Sequence, residues 1–433
     1  MKFQCYTLGC KVNQYETQAM QQLLLGLGHE LVTQGKRDAV IVNTCTVTAV
    51  ADRKNRTLLH RLRRENPDAV LGVCGCYAQV NTDAVRQLGA DIISGSGNRA
   101  AFLQLLLQAV REREAGAIPP QRVQVDAALQ RCGFELLPAG GLQERTRAML
   151  KVQDGCNNFC SYCIIPYARG TVRSLPIADA AAQAQQLAAQ GYREIVVTGI
   201  EIASWGFELR DGSRLTDLVE TICRAVPSVR VRLGSLEPRC IDDAFCARLS
   251  VLPNLCPQFH LSMQSGSDTV LQRMHRKYTS ALYLESVRRL RAAFAGCAVT
   301  TDWIVGFPQE TDGEFAESLA FVQKCGFAAM HVFPYSRRPG TPADAMPGQI
   351  TNAVKTQRAA EAGAAAAQMS QRFRTSLIGS AQEVLFEQIE GGRFTGHAKN
   401  GTKVYLHGEN LRNVCKTVRI TALYRDGVFA GTE

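Results

Sequence analysis

The segment Gln153-Asp-Gly-Cys-Asn-Asn-Phe-Cys-Ser-Tyr-Cys163 holds Cys156, Cys160 and Cys163 in a C-x3-C-x2-C spacing. That spacing suits three corners of a cubane iron-sulfur cluster and leaves the fourth iron open to a cofactor. Structural zinc sites usually close their tetrahedron with four protein ligands, and two-cluster ferredoxins use C-x2-C-x2-C-x3-C, so neither reproduces it. The segment follows a stretch, Met149 to Gln153, that reads as the first of six strands. The others are Glu194 to Thr198, Arg230 to Gly234, Gln258 to Met263, Val299 to Val305 and Ala328 to Pro334. Helix-length segments separate them, which predicts an open (βα)6 partial barrel with its chemistry at the C-terminal strand ends. Distinctive polar turns follow the later strands: Thr198-Gly-Ile-Glu-Ile-Ala-Ser-Trp-Gly, Gly234-Ser-Leu-Glu-Pro-Arg, Gln264-Ser-Gly-Ser, Gly306-Phe-Pro-Gln-Glu-Thr and Tyr335-Ser-Arg-Arg-Pro-Gly-Thr.

Outward from this barrel, residues 1–112 alternate short apolar strands (Phe3 to Leu8, Ala39 to Val42, Val70 to Val73) with helical stretches, the pattern of a small doubly wound parallel sheet. Residues 113–146 lack a clear period and read as a linker. The barrel domain is expected over 147–371. Residues 372–433 carry short alternating strands after an alanine-rich helix, the pattern of a small antiparallel barrel.

In the N-terminal part, Cys10 follows the first strand, Cys45 the second, and Cys74 and Cys76 the third. Consecutive strand ends of one parallel sheet converge at the edge where such sheets bind ligands, so these thiols are placed to hold a second cluster. Of Cys74 and Cys76, Cys76, which begins the loop, is the better ligand. Cys223, Cys240, Cys246, Cys256, Cys297, Cys325 and Cys415 stand singly and read as small buried hydrophobes.

The 433 residues include sixteen cysteines and carry a formal charge of +10. No charged-then-apolar leader and no apolar run of membrane length is present, so a reducing, cytoplasmic setting without a membrane is expected. No segment is a basic tail. The densest cationic run, Arg53, Lys54, Arg56, Arg61, Arg63 and Arg64, reads as an amphipathic helix whose polar face is either solvated or set against nucleic acid.

Thr7-Leu-Gly-Cys-Lys-Val-Asn-Gln-Tyr-Glu-Thr, Val42-Asn-Thr-Cys-Thr-Val, Gly75-Cys-Tyr-Ala-Gln, the cysteine loop with Pro166-Tyr-Ala-Arg-Gly-Thr-Val-Arg-Ser, Gly234-Ser-Leu-Glu-Pro and Phe333-Pro-Tyr-Ser-Arg-Arg-Pro-Gly-Thr together resemble the methylthiotransferases of the radical S-adenosylmethionine (SAM) superfamily. The sequence around Cys10 is similar to the branch acting on N6-threonylcarbamoyladenosine in tRNA. The resemblance implies an N-terminal auxiliary-cluster domain, a radical SAM barrel and a C-terminal TRAM domain. It further implies two [4Fe-4S] clusters, one on Cys156, Cys160 and Cys163 that cleaves SAM to a 5′-deoxyadenosyl radical, the other on Cys10, Cys45 and Cys76 that delivers sulfur. Tyr162 matches the aromatic set against the adenine of SAM, and Gly199, Ser235, Glu237, Arg239, Gln264 and Asp302 are expected in the SAM site. The implied product is the 2-methylthio derivative of the nucleoside beside the anticodon of tRNA, the electron donor is of flavodoxin or ferredoxin type, and a monomer is favoured. Arg173, Arg337 and Arg338 are candidate cations for the carboxylate of threonylcarbamoyladenosine.

The chain departs from that branch at Glu201, Ala203 and Trp205, where His or Asn, Gly and Tyr are common, and no Gly-Gly-Glu motif follows the second barrel strand. The alternatives are isopentenyladenosine or a ribosomal protein as substrate, an iron-sulfur RNA-binding or redox protein that does not use SAM, and a zinc-only RNA-binding module.

Overall fold

The computed structural model describes residues 1–141, 146–408 and 410–431. Residues 142–145 of the expected linker, and 409, 432 and 433 of the expected C-terminal domain, lie outside them. The chain packs as two compact units, Met1–Leu142 with Lys151–Leu175 and Ser336–Asp344, and Gln143–Leu150 with Pro176–Tyr335 and Ala345–Glu433. The cysteine loop therefore packs in the same unit as the N-terminal sheet.

In the first unit, strands β1 (Lys2–Thr7), β2 (Glu30–Leu31), β3 (Ala39–Thr44), β4 (Val70–Gly75), β5 (Ile92–Ser94) and β6 (Arg122–Gln124) form one parallel sheet in the order β2-β1-β3-β4-β5-β6. The order reverses between β1 and β3, the switch point at which open α/β sheets leave a crevice for ligands. β3 and β4 are buried on both faces, as their apolar runs require. One face packs Phe3, Ile41, Val70 and Cys74 against Phe102 and Leu106 of the helix Arg99–Glu114. The other packs Val42, Leu71 and Val73 against Leu59, Leu62 and Tyr77. β6 lies within the stretch expected as a linker. It is a short, half-exposed edge strand, and three residues are too few to show a period. The basic run forms the helix Ala49–Glu65, capped by Thr48, whose side chain accepts from the Ala51 amide. Arg53, Lys54, Arg56, Arg61 and Arg64 are exposed, whereas Arg63 bonds Asp91 and the Ala69 carbonyl.

In the second unit, apart from Lys151, the partial barrel runs through β7 (Arg147–Lys151), β8 (Glu194–Thr198), β9 (Arg230–Leu233), β10 (Ser235–Leu236), β11 (Gln258–Leu261), β12 (Ala298–Val305) and β13 (Ala329–Pro334). The third expected strand ends at Leu233 as β9, and Ser235–Leu236 of the expected turn after it forms β10; the two belong to a three-stranded and a four-stranded sheet. The helix Asn352–Ser376 leads to a closed five-stranded barrel of Ala381–Glu390, Arg393–Ala398, Lys403–Leu406, Val414–Tyr424 and Gly427–Gly431. Its pairs are antiparallel except Lys403–Leu406 with Gly427–Gly431, which is parallel. At the start of β8 and β9 buried Glu194 pairs with Arg230 and Arg232, and these arginines donate to the carbonyls of His397, Ala398 and Lys399. The small barrel is thus bonded to the N-terminal strand ends, away from the rim where such barrels do chemistry. Of the lone cysteines, Cys223, Cys246, Cys256, Cys297 and Cys325 are buried as expected. Cys240 is only partly covered, and Cys415 is exposed because it lies on an open face of its strand.

Candidate active site

Cys10 precedes the first turn of the helix Lys11–Gly26, directly after β1. Cys45 follows β3, and Cys76 opens the short helix Cys76–Val80 after β4. Two glycines allow these strand ends to crowd together. Gly9 has φ +111, and a Cβ there would stand 2.6 Å from the Cys45 Cβ; Gly75 has φ +101, and its Cβ would stand 2.5 Å from the Thr44 carbonyl oxygen. Burial, then the neighbouring Cys76 thiol, pushes Cys45 up to about 12. Burial pushes Cys76 up as well, with Cys10 adding to it and the Arg169 guanidinium opposing. The three thiols are therefore electrostatic neighbours. Cys74 instead lies in the apolar cluster on the helix Arg99–Glu114 side of the sheet.

Around this triplet lies a polar network of fully buried groups. Asn13 Oδ1 accepts from Cys10 Sγ at 3.4 Å and from Arg169 Nη2 at 2.8 Å, while Asn13 Nδ2 donates to the carbonyls of Leu8 and Thr44. Arg169 Nε donates to Cys76 Sγ at 3.1 Å, and its Nη1 donates to Glu16. Glu16 also receives Arg99 at 2.8 Å and Lys151 at 3.0 Å. Burial alone would raise the Glu16 carboxyl, but Arg169, Arg99 and Lys151 outweigh it and hold it well below the usual range. Asp154 takes Lys151 at 2.6 Å, with Arg169 and Arg173 at 3.5 and 3.6 Å.

The cysteine loop hangs on the same network. Gly155 N donates to Asp154 Oδ1, Cys156 N to the Gly170 carbonyl, and Cys163 N to the Cys160 carbonyl. Phe159 turns the loop in the left-handed region, at φ 46. Cys160 is buried, while Cys156, Tyr162 and Cys163 are partly exposed. Among the described residues no three His, Cys, Asp or Glu side chains converge as on a single ion. A cubane spreads its thiolates over separate irons and does not ask for such convergence.

The expected SAM-site residues other than Tyr162 lie in the second unit. Ser235 pairs in register with His260, His260 with Thr300, and Asp302 with His331, so one face of β10 to β13 carries a polar stripe. Asp302 lies 3.3 Å from His260 Nε2 and 3.2 Å from His331 Nδ1. Burial opposes ionisation, but these two rings hold its carboxyl well below the usual range. Gln264 takes φ +66, a conformation costly for a side chain of this kind, and exchanges backbone bonds with Asp302 and Ile304 at 2.9 Å each. Glu237 is buried, paired with Arg239 and 3.7 Å from Arg276. Gly199 is partly exposed, Trp205 fully buried, and burial followed by Glu237 pushes the Glu201 carboxyl up to about 7.

Of the cations suggested for substrate, Arg173 and Arg338 prove buried. Arg173 donates to the carbonyls of Thr171 and Arg169, and Arg338 bonds Thr46 Oγ1 and Asp52 Oδ2 at 2.7 Å each. Arg337 keeps 57% of its side chain exposed while pairing with Asp344 at 2.8 Å.

Residues 150–322 match the radical SAM superfamily, and residues 2–95 match uncharacterized protein family UPF0004. The threonylcarbamoyladenosine tRNA methylthiotransferase of Bacillus subtilis is 37% identical over 98% of this chain and 95% of its own length; that of Thermotoga maritima is 33% identical over the same shares. The chain belongs to the radical SAM methylthiotransferase family, in its threonylcarbamoyladenosine branch. A tRNA-2-methylthio-N(6)-dimethylallyladenosine synthase of Parafrankia sp. is 34% identical over 93% of this chain and 83% of its own length. The fold is that of the solved radical SAM methyltransferase TsrM from Kitasatospora setae, with a TM-score of 0.56 at 16% identity over 79% of this chain and 77% of that one.

The family's cofactors are two [4Fe-4S] clusters and SAM, and the donor chemistry here fits them. Among the described residues, Arg99, Lys151, Arg169 and Arg173 face only two buried carboxylates, Glu16 and Asp154, with Glu135 half-buried at the edge. Such an excess of buried positive charge is costly without a counter-charge, and thiolates beside it supply one. Lys151, His260 and His331 escaped the sequence reading, and Asn13, Glu16 and Arg169 stood in the quoted motifs with no role assigned. The polar residues within otherwise apolar strands, Lys151, His260 and His331, were the available signal.

Proposed function

We propose that this chain is a tRNA methylthiotransferase that places a methylthio group on C2 of N6-threonylcarbamoyladenosine beside the anticodon. The observation that carries the reading is identity over nearly the full chain to threonylcarbamoyladenosine tRNA methylthiotransferases. An unactivated aromatic C–H offers neither a leaving group nor an acidic proton, so side-chain acid-base catalysis cannot suffice. When bound, the two clusters and SAM would supply one-electron cleavage of SAM at one cluster and sulfur delivery from the other. Cys156, Cys160 and Cys163 would hold the first cluster, and Cys10, Cys45 and Cys76 the second. Burial of Cys45, Cys76 and Cys160 keeps water from their thiolates, and the Glu16 network fixes the loops that carry them. In the second unit Gly199, Gln264, Glu237 with Arg239, and the stripe from Ser235 to Asp302 bind SAM. Arg337, the exposed cation of the three, takes the threonylcarbamoyl carboxylate. A one-electron donor of flavodoxin or ferredoxin type is required, and a cytoplasmic monomer is the setting we favour; among the described residues no helix is long and apolar enough to cross a membrane.

The dimethylallyladenosine relatives favour a second substrate, and one experiment separates the two. Reconstituted enzyme is offered an anticodon stem-loop bearing threonylcarbamoyladenosine and another bearing isopentenyladenosine. Product on the first alone is expected, with Arg337→Ala lowering turnover about tenfold, the worth of one charged hydrogen bond. Equal reaction, or product only on the second, overturns the substrate.

A further inference from the structure

Arg169 is fully buried and lies six residues beyond Cys163, on the segment that carries the SAM-cleaving triplet, yet its Nε–H points at a thiol 93 positions away in the chain. The contact is over-determined. Nη1 is held by Glu16 and Nη2 by Asn13, the residue that also accepts from Cys10 Sγ. Glu16 is in turn fixed by Arg99 and Lys151. One planar guanidinium therefore reaches the Cys76 sulfur directly and the Cys10 sulfur through Asn13. Its fork geometry is what a bidentate site uses and an ammonium cannot copy.

We propose that Arg169 is a positioning residue for the auxiliary cluster: it holds Cys76 Sγ in ligating position and raises the reduction potential of the cluster that Cys10, Cys45 and Cys76 bind. The inference rests on the proposed function. A charge-assisted N–H to a ligand sulfur, and unbalanced buried positive charge near it, stabilise the more negative reduced state over the oxidised one. Because Arg169 belongs to the segment of the other triplet, displacement of that segment would alter the donor at Cys76. The auxiliary cluster's potential is in this way tied to the segment that bears the SAM-cleaving cluster.

The test uses the full chain with Cys156, Cys160 and Cys163 changed to Ala, so that the auxiliary cluster alone remains, reconstituted and titrated by electron paramagnetic resonance against a redox poise. Iron content and far-ultraviolet circular dichroism are recorded for the parent, Arg169→Lys and Arg169→Gln. Arg169→Gln is expected to lower the ratio of reduced to oxidised cluster at fixed poise at least tenfold, about 59 mV for a one-electron couple. Arg169→Lys, which keeps a charge and loses the fork, falls between and carries the test if the Gln variant does not fold. A merely structural residue would change the amount of cluster and leave its potential in place. Variants that keep their cluster at the parental potential overturn the inference alone. A folded parent without iron overturns the proposed function and the inference with it.

Discussion

Glu201 stands where the threonylcarbamoyladenosine branch commonly carries His or Asn, and its surroundings resist its charge. Burial comes first and the Glu237 carboxylate second, raising Glu201 to about 7. A carboxyl whose folded value lies above its unfolded value of about 4.3 binds its proton more tightly when folded. The contribution of Glu201 to stability is therefore fully present in acid and is lost as pH rises from about 4.3 to 7. Glu201→Gln, which mimics the protonated form, should stabilise the protein by about 3 kcal/mol at pH 8 and by almost nothing at pH 4, as measured by urea unfolding. A constant difference across that range would show that Glu201 is not the titrating group. Sequence comparison located this position and could not give its charge state, because Glu237 and Arg276 approach it only through the fold. Cys76 shows the converse. Its place at the start of a loop was readable, and the structure sets it beside Arg169 while Cys74 packs into the core.

At the scale of the element, the cysteine loop depends on two glycines at its ends. Gly155 has φ +74, and a Cβ there would lie 1.8 Å from the Thr171 carbonyl oxygen; Gly170 has φ +83, and its Cβ would lie 2.0 Å from the Ala128 carbonyl oxygen. Both obstacles are backbone, so the loop itself must move. Gly170→Ala should cost at least about 2 kcal/mol through strain and clash together, and should lower the iron held by Cys156, Cys160 and Cys163. Gly191, at φ +88 after the helix Ile177–Ala189, faces open space. Gly191→Ala should cost only about 1 kcal/mol and leave iron content unchanged. Equal iron loss in both would detach the effect from the loop. The strands that carry these turns were legible to within a few residues, since strand burial repeats over contiguous positions. The short strands Ser235–Leu236 and Arg122–Gln124 were not, because neither is long enough to show a period.

At the scale of the whole molecule, both thiol triplets lie in one compact unit, and two triplets with one open iron each imply about eight irons per chain. Replacing Cys10, Cys45 and Cys76 by Ala should leave about four irons, retain cleavage of SAM to 5′-deoxyadenosine and abolish methylthiolated product. Colorimetric iron assay and chromatography of the two products check this, and a wild-type count near four would remove the auxiliary cluster.

What the sequence alone determined is what short stretches carry: the cysteine spacing, thiols at successive strand ends, the order of sheet, partial barrel and small barrel, and the family. Tertiary structure decided which charges neutralise one another. Arg169 meets Glu16 across 153 positions and Lys151 meets it across 135, and no local pattern encodes either pairing. Arg173 and Arg338 looked available for substrate until burial gave them internal partners, while Arg337, next to Arg338 in the chain and paired with Asp344, kept most of its side chain exposed. The physical reason is desolvation. A charge in a dry interior must find its counter-charge wherever the fold brings one, and that place is set by the packing of segments far apart in the chain.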